Sequence, residues 1–160
     1  MKRSKHTFNH EREHIDTDVI KIEVNLDDIP GEWLGELMER LLAIGVNDVY
    51  YTPIYMKKNR PAVLLSVLLP KHLLDEVKHL IFTETTTFGI RYSTWTVHRL
   101  GRKFRTVETK WGPVSVKQAL LGNQVVQESP EFEDCRRIAE KAGIPVKDVY
   151  QTVWKKLNSG

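Results

Sequence analysis

The sequence predicts an α+β chain, a ferredoxin-like β-α-β-β-α-β domain followed by a β-hairpin and two C-terminal helices. Three observations predict it. Residues 19–26 alternate apolar and polar side chains, two later stretches repeat apolar residues at helical spacing, and residues 62–69 (AVLLSVLL) are almost wholly apolar. Alternation marks a half-buried strand, a 3.6-residue period marks an amphipathic helix, and a short unbroken apolar run marks a central strand.

Residues 1–17 have no apolar periodicity and are rich in charge and histidine. They read as a flexible arm or linker, with order beginning near Asp18. The first strand places Ile20, Ile22, Val24 and Leu26 on one face, opposite Lys21, Glu23 and Asn25. Asp27-Asp28-Ile29-Pro30-Gly31 breaks it, and Pro30 suits a helix start because its missing N–H is unneeded there. Trp33, Leu34, Leu37, Met38, Leu41 and Leu42 form the first helical stripe, closed by Gly45. A strand over residues 48–56, a basic turn (Lys57-Lys58-Asn59-Arg60-Pro61) and the strand 62–69 follow, ended by Pro70. Leu73, Leu74, Val77, Leu80 and Ile81 mark the second helix. Residues 83–89 are a threonine-rich loop, and residues 90–100 alternate as a fourth strand. These elements make one domain over residues 18–100.

The remainder, residues 101–160, is a second region. Residues 103–109 and 114–119 read as a hairpin around Trp111-Gly112-Pro113, and Val125-Val126 as a short strand. Ser129-Pro130-Glu131 reads as a helix start: Ser caps, Pro occupies the first turn, and Glu131 and Glu133 complement the positive helix end. Gly143 ends that helix, and Pro145 begins a last one through Val146, Val149, Val153, Trp154 and Leu157.

The net charge of +3 hides an asymmetry. Residues 1–56 carry net −5, residues 57–117 carry net +8 from 12 basic and four acidic groups, and residues 118–160 are neutral. A basic middle of that size implies an anionic partner. No stretch approaches the roughly 18 apolar residues of a membrane span, so no membrane partner is expected. The basic N-terminus lacks the apolar core of a secretory signal. One cysteine, Cys135, excludes an internal disulfide framework and a multi-cysteine zinc site, which points to a reducing, cytoplasmic setting.

Five constellations could carry chemistry. Asp27 and Asp28 are either capping carboxylates or a hard-cation site, since Mg²⁺ or Mn²⁺ takes one or two carboxylates and completes its shell with phosphate oxygens. Lys57, Lys58 and Arg60 are either a solvated turn or a phosphate clamp of compact ammonium charge and bidentate guanidinium. Thr85, Thr86 and Thr87, before Gly89 and Arg91, offer hydroxyls and backbone N–H groups to an anion, without the spacing of a P-loop. Arg99, Arg102, Lys103, Arg105 and Lys117 are either an exposed basic ribbon or one wall of the anion site. His6, His10 and His14, four apart, would stack on one helical face and bind a transition metal if that arm were helical. Cys135 reads as a buried structural thiol. RNA is not expected, because residues 62–69 lack the aromatic stacking groups an RNA-binding sheet needs.

Asn25-Leu26-Asp27-Asp28-Ile29-Pro30, Thr52 through Pro61, Glu84 through Arg91, Val116-Lys117 and Pro130 through Cys135 occur in an order that resembles the C-terminal domain of the LarC nickel-insertion family, over residues 19–157. The resemblance implies a CTP-dependent cyclometallase, a lyase-type nickel chelatase. Such an enzyme inserts nickel into pyridinium bisthiocarboxylic acid mononucleotide, making the nickel-pincer cofactor of lactate racemase. It implies CTP with Mn²⁺ or Mg²⁺ as ligands, the nickel-free precursor as substrate, and an N-terminal half of the same protein as partner. A homo-oligomer, trimer or hexamer, is expected too. By the same resemblance, Lys57, Lys58, Arg60 and Arg91 contact the triphosphate, with Arg99 and Lys117 behind them. Thr85 to Thr87 donate to it, and Asp27 or Asp28 shares a divalent ion with it. A non-catalytic nucleotide-binding regulatory module is the alternative.

Overall fold

Alternation along the first strand is realised as burial in the computed structural model, which describes residues 11–159. β1 (His14–Leu26) buries Ile20, Ile22, Val24 and Leu26. α1 (Gly31–Ile44) follows an extended Pro30 and ends at Gly45, whose φ of 101° lets its N–H bond the Leu42 carbonyl at 3.1 Å. β2 (Asp48–Met56), a 3-10 turn (Lys57–Asn59) and β3 (Arg60–Pro70) make a hairpin. A second 3-10 turn (Lys71–Leu73) leads into α2 (Leu74–Glu84), and β4 (Arg91–Arg99) closes the series.

The four strands hydrogen-bond in the order β2-β3-β1-β4, the ferredoxin-like arrangement. β1 and β3 pair antiparallel, with Ile22 opposite Val67 and Val24 opposite Leu65. Those side chains form the floor on which Leu37 and Leu41 of α1 and Val77, Leu80 and Ile81 of α2 pack. Each such fully buried side chain contributes about 1.5–3 kcal/mol. Lys21, Glu23 and Asn25 alternate to the other face. Tyr51 seals the edge of the core by donating its hydroxyl to the Leu34 carbonyl at 2.7 Å.

The second sheet runs β5 (Gly101–Thr109), β6 (Gly112–Leu121), β7 (Gln124–Pro130), in that order. α3 (Phe132–Ala142) and α4 (Val146–Leu157) pack Cys135, Ile138, Ala139, Val149 and Val153 against Val107, Val114 and Val116. The chain divides into two compact units. One is Asp16–Val97. The other runs from His98 onward and includes the segment ending at Ile15. Within it, the Glu13 carboxylate binds His98 Nε2 at 2.6 Å and accepts the Gly122 N–H at 2.8 Å. Gly101 is required there, since a Cβ would stand 2.9 Å from the Glu11 carbonyl oxygen.

Several local expectations are corrected. β1 starts at His14, so residues 14–17 are strand and not the end of an arm, and His14 does not belong to a helical histidine stripe. His6 and His10 lie outside the described residues. Trp33 and Leu42 are exposed; α1 packs through the fully buried Leu37 and Leu41, with Leu34 and Met38 partly buried against the same core. Thr83 and Glu84 extend α2, the Thr83 hydroxyl donating to the His79 carbonyl at 3.0 Å. Ser129 and Pro130 end β7 instead of starting a helix, and Glu131 takes the N-cap position of α3 without a side-chain cap bond. Pro130 is tolerated because β7 is an edge strand.

Candidate functional site

Within the Asp16–Val97 unit, three segments distant in sequence meet beyond the end of β1. Leu26 is the last buried residue of that strand, and Asp27 and Asp28 follow where the chain turns toward α1. Arg60, at the start of β3, brings Nη1 to 3.3 Å from Oδ2 of Asp27. Thr86, in the α2–β4 loop, donates its hydroxyl to Oδ1 of Asp28. The strand end, the basic turn and the threonine loop therefore form one cluster.

The three threonines divide the work. Thr85 donates to the Ile81 carbonyl at 2.7 Å and accepts the Thr87 N–H at 3.3 Å. Thr87 donates to the Gly89 carbonyl at 2.9 Å and accepts the Gly89 N–H at 3.3 Å. Those two shape the loop, and Thr86 alone reaches the acidic pair.

Lys57 and Lys58 are exposed and have no ion-pair partner among the described residues. Their turn holds two consecutive non-glycine residues in the left-handed region, Lys58 at φ 64° and Asn59 at φ 55°. Such residues cost about 1–2 kcal/mol each and concentrate where a side chain must be aimed. Asn tolerates this conformation; Lys does not favour it.

Arg91 is placed differently. Its Nε lies 3.1 Å from Glu23 Oε2 and its Nη2 donates to Asn25 Oδ1 at 2.9 Å, on the face of the sheet opposite the helices. Lys21 sits 2.9 Å from the same Glu23 and 4.4 Å from the centre of the Trp95 ring. Hydrogen bonds from Lys21 and then Arg91 hold the Glu23 carboxyl below its usual range. Arg99 and Lys117 belong to the second unit, where Lys117 Nζ lies 3.2 Å from Glu131 Oε1. Cys135 is buried, and burial followed by the Asp134 charge pushes its thiol up, which suits a structural thiol and not a nucleophile.

Two exposed aromatic side chains flank the cluster in sequence: Tyr55, just before the basic turn, and Phe88, fully solvent-exposed at the tip of the threonine loop. Their signal was an aromatic residue adjoining a polar turn, which periodicity does not weigh. Either offers a face for a planar base.

The sequence profile described as nickel insertion protein matches residues 4–150. The chain belongs to the nickel insertion protein family. A relative from Acetivibrio thermocellus, named pyridinium-3,5-bisthiocarboxylic acid mononucleotide nickel insertion protein, is 44% identical over 147 residues, covering 92% of this chain and 36% of the relative. The chain thus spans about a third of the length of the curated relatives it matches. Among solved structures, it superposes on LarC2, described as the C-terminal domain of a cyclometallase involved in the synthesis of the NPN cofactor of lactate racemase, in its apo form. The TM-score is 0.85 at 42% identity, covering 91% of this chain and all of that one. Protein MK0293 from Methanopyrus kandleri AV19 follows at TM-score 0.64 and 29% identity, covering 87% of this chain and 86% of that one. The expected family and the α+β ferredoxin-like fold are both borne out.

For a nickel insertion family member, the chemistry of the acidic pair matters. Among the described residues no three His, Cys, Asp or Glu side chains cluster as a metal cage. Asp27 and Asp28 each commit one oxygen to a neighbour and keep lone pairs on the other. Two hard oxygen donors beside exposed cations fit a divalent ion that takes its remaining ligands from phosphate and water.

Proposed function

We propose that this chain is the CTP- and divalent-ion-binding part of a cyclometallase that inserts nickel into pyridinium-3,5-bisthiocarboxylic acid mononucleotide, making the cofactor of lactate racemase. The observation that carries the reading is the pairing of Arg60 with Asp27 beside the exposed Lys57 and Lys58. In it, Lys57, Lys58 and Arg60 bind triphosphate oxygens. Arg60 would exchange Asp27 for phosphate, and Asp27 and Asp28 are the carboxylates that would hold Mg²⁺ or Mn²⁺. Thr86 orients Asp28, while the hydroxyls of Thr85 and Thr87 fix the shape of the loop that carries Thr86. The bound divalent ion supplies charge neutralisation on the phosphates. Arg91 reaches the nucleotide from the sheet face. Nickel is cargo, and the N-terminal part of the same protein completes the insertion site. A cytoplasmic homo-oligomer, trimer or hexamer, is the proposed form. No helix among the described residues is long and apolar enough to cross a membrane.

The test is a calorimetric titration of CTP, ATP, GTP and UTP with and without Mn²⁺. The expected result is CTP-selective binding strengthened by Mn²⁺, and absence of CTP binding would overturn the reading. Incubation with CTP, Mn²⁺, nickel and the precursor separates insertion from the other possibility, a nucleotide-binding regulatory module: metallated product marks the former, binding alone the latter.

A further inference from the structure

A cavity of about 600 Å³ opens in the second unit, outside the cluster just described. That volume is within the range of small-molecule sites. Its wall combines Lys117, Glu131, Phe132, Lys147 and Tyr150. Phe132 is half-exposed, and Pro130 and Val146 add further apolar surface. The Tyr150 ring is held by stacking on Trp154, with centroids 6.4 Å apart, and its hydroxyl lies 3.4 Å from Ser129 Oγ. Glu131 receives Lys117 at 3.2 Å, whereas Lys147 is exposed and has no ion-pair partner among the described residues.

This lining differs in kind from the Lys57–Arg60 turn. Two ammonium groups, one carboxylate and two aromatic faces do not select a polyanion. Aromatic faces attract a cationic ring through their quadrupole, a carboxylate adds to that attraction, and the lysines take anionic substituents. We infer that this cavity binds a zwitterionic heteroaromatic mononucleotide: a cationic ring seated against Tyr150 and Phe132 near Glu131, with its carboxylate-type and phosphate groups directed to Lys147 and Lys117. The inference rests on the proposed function for one point only, that the chain handles a pyridinium mononucleotide. It assigns that ligand a site separate from the triphosphate site.

The probe is nicotinic acid mononucleotide, which carries a pyridinium ring, a carboxylate and a phosphate. It is titrated calorimetrically into the full chain beside uridine monophosphate, whose ring is neutral. The pyridinium compound should bind more tightly by roughly fivefold, the size of one cation–π contact. Lys147→Glu, at an exposed position, should weaken it by roughly tenfold or more and leave CTP binding unchanged. Tyr150→Phe keeps the ring and should retain the affinity. Three results would overturn the inference: no preference for the pyridinium ring, no effect of Lys147→Glu, or CTP affinity falling in parallel with that of the probe. Failure of CTP to bind at all strikes the triphosphate site instead, and the pyridinium titration still reads this cavity.

Discussion

Arg60 Nη1 stands 3.3 Å from Oδ2 of Asp27, joining the β2–β3 turn to the end of β1. Both groups are exposed enough that the pair contributes only about 0–1 kcal/mol to the fold. Replacing Lys57 and Arg60 together by alanine should therefore leave the melting temperature almost unchanged. CTP affinity should fall by roughly tenfold or more, because two charge-assisted contacts to phosphate are lost. Calorimetry and a thermal melt on one preparation check both halves; unchanged CTP affinity would remove Lys57 and Arg60 from the site.

The same pair predicts coupling between metal and nucleotide. If phosphate takes Arg60 and frees Asp27, each ligand should raise the affinity for the other by the same factor. Asp27→Asn should abolish that factor. It should weaken CTP in the presence of Mn²⁺ and leave it equal or tighter in chelator, since a repelling carboxylate is gone. Parallel weakening in both media would count against a metal role for Asp27.

Lys58 is the residue whose backbone suffers most for its position. Lys58→Gly should stabilise the hairpin by about 1 kcal/mol, the cost of a left-handed non-glycine residue, while CTP binding weakens. Denaturant unfolding reads the first effect and calorimetry the second. Loss of stability would show that the lysine stem packs better than its exposure suggests.

Asp134 links α3 to β6. It accepts the Ser115 N–H at 2.9 Å and pairs with Arg137 at 2.7 Å, and these contacts, the backbone one foremost, lower its carboxyl from the usual 3.8. Since the folded value is depressed, the stabilisation is complete above about pH 3.8 and is lost as pH falls through the lower folded value. Asp134→Ala should cost about 1–2 kcal/mol at neutral pH by leaving the Ser115 N–H unsatisfied. It should also flatten the acid limb of the stability profile. Denaturant unfolding at pH 3 and pH 7 measures both.

Tyr51 carries the opposite sign. Burial pushes its phenol from 10.0 up to about 12. A raised folded value means its contribution holds below pH 10 and is lost as pH rises toward 12. Tyr51→Phe should cost about 1 kcal/mol, through loss of the bond to Leu34. It should also delete a late step from the alkaline absorbance titration.

Strand and helix order was legible wherever the apolar pattern had sharp punctuation. β2 is bounded by Gly45 on one side and Lys-Lys-Asn on the other, and it occupies the residues expected. The first four residues of β1 (His14-Ile15-Asp16-Thr17) were illegible because none of them is buried, so no alternation marks them. Ser129-Pro130-Glu131 misled because a serine and a proline serve equally as a helix entry and as the end of an edge strand; sheet position decides, and sequence does not carry it. In the site, the convergence of Asp27, Arg60 and Thr86 followed from the hairpin and the loop lying at the same end of the sheet. The engagement of Arg91 with Glu23 and Asn25 depends on how β4 is set against β1, which charge counting along the chain does not contain.

The one thiol of the chain lies wholly inside the wall shared by β6, α3 and α4. A sulfhydryl reagent can reach it only when that wall parts, so modification times the breathing of this half of the molecule and of no other. An occupant of the neighbouring cavity would slow the clock by mass action. The native sequence thus carries an intrinsic sensor, able to register an unlabelled ligand without any engineered reporter.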